Sequence, residues 1–166
     1  MLLSVGEVNK NKNHRIVIEA LPELPTCYYV ICGQGPLMEK HRKQAKKLGV
    51  YNQLIMTGYR TDVVDFYQMS DIFIFPSIRE GLPVALIEAM VSGMPCIATK
   101  NRGTKDLLDG IANLLDSKDI AALIKMIQDY ISNIGTRRAH TNIQKYDVAR
   151  TLMQVKTIMC GLVRHD

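Results

Sequence analysis

Hydrophobic positions along this chain follow two rhythms. Short, almost unbroken apolar runs at residues 2–5, 28–32, 54–57, 72–75 and 96–99 alternate with segments whose apolar side chains recur at helical spacing. Strands that are hydrophobic on both faces are what a parallel sheet covered by helices on each side requires. Between the runs, residues 14–21 place Ile16, Val17, Ala20 and Leu21 on one helical face. Residues 36–48 open on Pro36 and stop at Gly49, residues 62–69 start from Thr61 or Asp62, and residues 83–91 open on Pro83 and stop at Ser92 and Gly93. Repeated strand–helix units of this kind predict an α/β fold, a doubly wound parallel sheet of about six strands.

After Thr99 the rhythm changes. One helical turn is expected at 105–108, a brief last strand at Leu114 and Leu115, and an amphipathic helix at 120–134 that starts from Ser117 or Asp119 and is closed by Gly135. A short helix at 136–144 and a tail at 146–163, with Val148, Leu152, Val155, Ile158, Met159 and Leu162 at helical spacing, add extra C-terminal helices. No repeat or linker divides the chain, so residues 1–166 are expected to form one domain.

With 47% apolar and 22% charged residues the 166-residue chain has globular composition, which excludes disorder. Its apolar runs fall far short of the ~20 residues that cross a bilayer, and Glu7, Asn9 and Lys10 interrupt the opening before it can read as a signal peptide. The 21 basic and 16 acidic side chains leave a net charge of +5. Much of it is local: Lys40, Arg42, Lys43, Lys46 and Lys47 crowd one predicted helix without aromatics among them, which reads as a solvated face and not as a nucleic-acid site. His41 within that segment, and His140 and His165, read as surface residues, whereas His14 begins a helix and packs. Cys27, Cys32, Cys96 and Cys160 form no C-x-x-C pair and no metal-ligand spacing, so they read as small buried residues of a reducing, cytoplasmic compartment.

In parallel sheets of this kind ligands bind beyond the carboxyl ends of the strands. The loops there, at 6–13, 33–36, 58–61, 76–83 and 100–105, contain Gly6, Gly33, Gly35, Gly58, Gly81 and Gly103, and suggest a cleft. Gly33-Gln34-Gly35 starts a dinucleotide fingerprint, but Met38 stands where its third glycine belongs and no acidic residue follows at the required distance. No P-loop, G-x-S-x-G or H-E-x-x-H pattern is present. The informative segment runs from Phe73 to Met90, a strand leading through a glycine-containing loop into a helix. The first turn of such a helix favours an anion, with phosphate the obvious candidate. Glu80 precedes that turn and Glu88 lies more than two turns on. Carboxylates on both sides of a phosphate site suit the ribose, diphosphate and hexose of a nucleotide sugar. An exposed loop glutamate and a salt-bridged helix glutamate are the plainer reading of the same spacing.

Glu80-x7-Glu88, within Pro-Ser-x-Arg-Glu-Gly-Leu-Pro-Val-Ala-Leu-Ile-Glu-Ala-Met, resembles the E-x7-E signature of the retaining glycosyltransferases called group 1 or family 4. Segments 4–14, 33–37, 58–62 and 71–73, with Arg102-Gly103-x-x-Asp106-Leu107, follow in that family's order, so the resemblance covers residues 1–120. It implies a GT-B enzyme of two Rossmann-like domains, with this chain similar to the C-terminal, donor-binding one. A separate acceptor-binding domain is then expected, in cis or as a partner subunit. By resemblance, Glu80 contacts the donor sugar, Glu88 the ribose, and Lys12 neutralises the leaving diphosphate. Gly6 and the backbone around Gly81, Leu82, Pro83 and Val84 hold sugar and diphosphate, and Gly58, Tyr59 and Arg60 lie near the base.

The chain departs from the family pattern at Glu7, where many members carry arginine, so Lys12 acts alone or with Arg79 or Arg102. No D-x-D motif is present, and no metal or cofactor is expected; the donor, a UDP-sugar by preference, is substrate. The expected activity is metal-independent, retaining hexosyl transfer to a glycan or lipid-linked acceptor in surface polysaccharide or capsule biosynthesis. Membrane contact would be only peripheral, at the inner face, through the acceptor. A non-catalytic nucleotide-sugar-binding module working with a partner subunit is the alternative.

Overall fold

The computed structural model describes residues 1–108 and 113–139. Six strands, β1 (Leu2–Val5), β2 (Tyr29–Cys32), β3 (Leu54–Gly58), β4 (Ile72–Phe75), β5 (Cys96–Thr99) and β6 (Asn113–Leu115), form one all-parallel sheet in the order β3-β2-β1-β4-β5-β6. This is the doubly wound, Rossmann-like arrangement. The chain builds outward from β1 to β3, then crosses back to β4 and builds the other way, so β1 and β4 flank the topological switch point.

Alternation along each strand divides the core into two. Leu2, Tyr29, Ile31, Ile72, Ile74 and Ile97 face one side and pack on Ile16, Val17, Ala20, Ala45, Leu123 and Ile127. Those partners belong to α1 (Arg15–Ala20), α2 (Met38–Lys47) and α6 (Ile120–Ala139). Leu3, Val30, Phe73, Phe75, Cys96 and Ala98 face the other side and meet Tyr67, Leu86, Ala89, Met90, Leu107 and Leu108. These come from α3 (Val63–Met69), α4 (Val84–Val91) and α5 (Arg102–Leu108).

Three strands have the expected limits, and most differences lie at helix ends. Helix α2 starts at Met38, two residues after Pro36, and Pro83 is the N-cap of α4 and not its first residue. Asp62 stands at the N-cap of α3 without capping it through its side chain, because its carboxylate binds Arg60 instead. The single turn expected near 105 is a seven-residue helix. Its start is set by a reciprocal cap: Asn101 Oδ1 accepts from the Thr104 amide at 3.1 Å, while Thr104 Oγ1 accepts from the Asn101 amide at 2.9 Å. Asp119, not Ser117, caps α6 by accepting from the Ala122 amide. Gly135 does not close that helix, which continues to Ala139; one glycine costs only about 1 kcal/mol in a long helix. The proposed helix at 136–144 lies mostly, and the tail at 146–163 with Cys160, His140 and His165 wholly, outside the described residues.

His41 corrects a further expectation, that it lies at the surface. It is 2% exposed, with Ala45 on the inward side of α2, while Lys40, Lys43, Lys46 and Lys47 take the solvent side. Basic neighbours in sequence say nothing of the fate of a residue about 100° away around a helix. Its ring meets that of His14 edge-on at 6.3 Å. No helix is long and apolar enough to cross a membrane among the described residues. Cys27, Cys32 and Cys96 are buried and free.

Candidate functional site

The loops after β1 and β4 meet across the switch point. Asn11 joins them three times: its carbonyl accepts from the Ile78 amide at 2.8 Å, its Oδ1 from the Arg79 amide at 3.1 Å, and its Nδ2 donates to the Arg79 carbonyl at 2.8 Å. This stitching carries Lys12 to Glu80. Lys12 Nζ donates to Glu80 Oε1 at 2.8 Å, with side chains 20% and 13% exposed. The ammonium also lies 5.1 Å from the ring centroid of Phe75, the last residue of β4, a cation–π contact. Asn9 Oδ1 fixes the lysine backbone by accepting from its amide at 3.0 Å.

Gly6 completes this corner. Its φ of +143° is a conformation other residues rarely adopt, and a β-carbon there would stand 3.2 Å from Lys12 Cε. Gly33 and Gly35, which suggested a cleft, instead let two loops zip together. The Gly6 amide donates to the Cys32 carbonyl, the Val8 amide to that of Gln34, and the Leu37 amide to that of Val8. A β-carbon on Gly33 would lie 1.8 Å from the Gly6 carbonyl oxygen.

On the other side of the loop, Gly81 and Leu82 are exposed and Pro83 is buried. The Val84 amide bonds Leu82, while the amides of Leu86 and Ile87 share the Pro83 carbonyl. Glu80 is further held through its carbonyl, which accepts from the Gly103 amide at 3.2 Å. Ser77 anchors the start of the loop: its carbonyl accepts from Asn101 Nδ2 and from Thr99 Oγ1. One helical turn into α4, the exposed Glu88 accepts at Oε2 from the hydroxyl of Tyr67 at 2.8 Å.

Of the residues singled out from the sequence, Gly6, Lys12 and Glu80 come together, with Gly81 to Val84 continuing the same loop and Glu88 on the helix it feeds. The Gly58 loop is separately occupied: Tyr59 is 73% exposed, and the Arg60 guanidinium pairs with Asp62 and lies over the Phe66 ring. Glu7 accepts from Asn9 Nδ2 and points to solvent, and the Arg79 and Arg102 side chains are exposed. Sequence reading passed over Tyr67 and Asn11. A tyrosine on the inward face of a helix is itself a signal, because its buried hydroxyl needs a partner. Asn11 carries no local signal, since its partners lie 68 residues away.

Beneath the β1 loop, His14 is buried and linked through a chain of hydroxyls. Ser4 Oγ donates to the Ile74 carbonyl and Tyr29 Oη donates to Ser4 at 2.8 Å, so His14 Nδ1, 2.8 Å from Tyr29 Oη, is the donor to it. Its Nε2 has no partner among the described residues. Burial above all, helped by His41 and Lys12 and opposed by the Glu7 carbonyl, lowers the His14 pKa to about 3. Burial also lowers that of His41. No three His, Cys, Asp or Glu side chains are gathered to hold a metal ion among the described residues.

A family model described as glycosyl transferases group 1 matches residues 1–146. The chain is 29% identical over 149 residues to the UDP-Gal:alpha-D-GlcNAc-diphosphoundecaprenol alpha-1,3-galactosyltransferase of Escherichia coli, covering 84% of this chain and 38% of that protein. In structure it resembles the catalytic domain of a cholesterol-alpha-glucosyltransferase from Helicobacter pylori, with a TM-score of 0.76 and 19% identity over 91% of this chain and 96% of that one. It also resembles Anabaena HepE solved in complex with UDP, with a TM-score of 0.70 and 21% identity over 96% of this chain and 48% of that one. At these identities the structural likeness speaks for the fold. The chain spans less than half the length of the curated relatives it matches first.

Proposed function

Because the chain belongs to the group 1 glycosyl transferases, we propose that it is the donor-binding domain of a retaining, metal-independent hexosyltransferase. Its ligand is a nucleoside-diphosphate sugar, a UDP-sugar by preference, and the sugar passes to a glycan or lipid-linked acceptor in surface polysaccharide synthesis. An acceptor-binding domain, in cis or on a partner subunit, supplies the other wall of the cleft. The work is cytoplasmic, with membrane contact only through the acceptor. The observation that carries this reading is the meeting of Lys12 and Glu80 across the β1–β4 switch point, in the loop that feeds α4.

Breaking a glycosyl–phosphate bond develops negative charge on the diphosphate and positive charge on the sugar. Lys12 and the positive end of the α4 dipole stabilise the first as fixed, preorganised charge. Glu80 accepts from a donor-sugar hydroxyl and orients the ring, and Glu88 accepts from the ribose. Lys12 and Glu80 neutralise each other as an ion pair. A diphosphate then takes the place of Glu80 at the ammonium, which frees that carboxylate for the sugar. Calorimetric titration with UDP, GDP, ADP and UDP-sugars tests the reading, repeated on Glu88→Ala. One nucleotide binds saturably, and the variant weakens it at least about tenfold, or about 1.4 kcal/mol. A folded chain that binds none of them refutes the proposal.

A further inference from the structure

Tyr67 has its ring in the core and its hydroxyl at the proposed site. The residue is 3% exposed and its ring packs on Phe73 with centroids 5.7 Å apart. Its Oη donates to Glu88 Oε2 at 2.8 Å and shares the proton with the Ala85 carbonyl at 3.2 Å. The shorter bond is to the carboxylate. Satisfying a buried phenol would need only the carbonyl, so the contact with Glu88 acts on Glu88 as well. Tyr67 comes from α3 and Glu88 from α4. The bond therefore ties an exposed carboxylate on one helix to a rigid ring on the other.

A glutamate on an open helix face samples many rotamers and must lose that freedom when it binds a ligand. Glu88 makes no ion pair among the described residues, so the phenol is what restrains it. Burial first, then the hydrogen bond and charge of Glu88, push the Tyr67 pKa up and keep the hydroxyl protonated and donating. One carboxylate oxygen is thereby committed to the protein, while Oε1 remains to accept from a ligand. A carboxylate held in this way suits a pair of neighbouring hydroxyls.

We propose that Tyr67 is a positioning residue for the donor site: it holds Glu88 so that its free carboxylate oxygen accepts from the vicinal hydroxyls of the ligand's ribose. This rests on the reading of Glu88 as the ribose-contacting residue. The test uses the 166-residue chain with whichever of UDP, GDP and ADP it binds, and with the 2′,3′-dideoxy form of the same nucleotide. The wild type prefers the ribose form by about tenfold or more, the size of one good hydrogen bond to a charged group. In Tyr67→Phe, which keeps the ring against Phe73, affinity for the ribose form falls about fivefold, while the dideoxy form binds as before. The preference therefore shrinks by that same factor. In Glu88→Ala the preference disappears and Tyr67→Phe has no further effect.

A Tyr67→Phe variant that retains the wild-type preference, or that loses both ligands equally, overturns the positioning role and leaves the donor site standing. If Glu88→Ala keeps the preference, the assignment of ribose to Glu88 fails and the inference falls with it. Should Tyr67→Phe not fold, Glu88→Gln decides, because its amide oxygen still accepts from Tyr67 but leaves only an NH2 toward the ligand. The inference requires loss of the ribose preference in that variant, and retention of the preference overturns it.

Discussion

Acidification from pH 7 to pH 5 is the perturbation whose size follows most directly from the structure. His14 has a pKa of about 3 in the folded chain against 6.5 for the free side chain. The folded-state value is the lower one, so the unfolded chain takes up the proton first. Stability is complete above pH 6.5 and is lost as the pH falls from there toward 3. Each unit in that window costs about 1.4 kcal/mol, so the loss by pH 5 is about 2 kcal/mol from His14. His41, displaced in the same direction, adds to it. The loss is a large share of the 5–15 kcal/mol that typically holds a domain together. The physical cause is specific: Nδ1 already donates to Tyr29, so a second proton must go on the buried Nε2, which makes no well-formed hydrogen bond, and the nearby Glu7 carbonyl offsets only part of the desolvation. Urea unfolding followed by circular dichroism at pH 7, 6 and 5 measures it. With a slope of about 2 kcal/mol/M, the midpoint falls by about 1 M between pH 7 and 5. His14→Asn retains a donor for Tyr29 and cannot titrate; it lowers stability at pH 7 but removes about one proton from the pH dependence. A wild-type midpoint that does not move between pH 7 and 5, or a variant with the full wild-type slope, refutes the reasoning.

Other outcomes follow from contacts already described. Lys12→Met weakens UDP at least about tenfold in calorimetry while uridine, which lacks the diphosphate, is unaffected. In an intact transferase the same change costs on the order of 2–4 kcal/mol of transition-state stabilisation, read from kcat/KM. Gly33→Ala drives a β-carbon into the Gly6 carbonyl, and urea unfolding is expected to show a loss of about 2–4 kcal/mol. Thr104→Val keeps the shape but removes the cap to Asn101 and the 2.7 Å bond to the Thr99 carbonyl. Thermal and urea melts should register about 1–3 kcal/mol.

How legible the molecule was depends on the range of the interaction. Strands β1, β4 and β5 could be bounded to the residue because a strand buried on both faces is almost wholly apolar, and that pattern is local. Strand β3 shows the limit: it lies at the sheet edge, Ile55 is 43% exposed, and its pairing extends to Gly58. The Glu80–Glu88 spacing and the loop glycines were likewise visible in sequence as residue types along the chain, whereas Lys12 stood out only through the family resemblance. Helix ends were less so, because a cap such as Asn101 with Thr104 needs both side chains in one geometry, which their further bonds to the distant Ser77 carbonyl and to the Thr99 carbonyl help to fix.

What only the tertiary structure decided is which distant groups meet. Lys12 and Glu80 lie 68 residues apart, and they pair because the strand order places β1 beside β4 at the switch point and Asn11 stitches their loops. Tyr67 reaches Glu88 because α3 and α4 cover the same side of the sheet. His41 is buried beside His14 because α1 and α2 share the other side. Gly33 lies against Gly6 through the β1–β2 pairing. The sequence by itself determined the kind of fold and the chemical groups at hand, because hydrophobic periodicity and residue identity are properties of neighbours along the chain. Their partnership was decided by strand order and helix placement, which bring together groups that no local pattern connects.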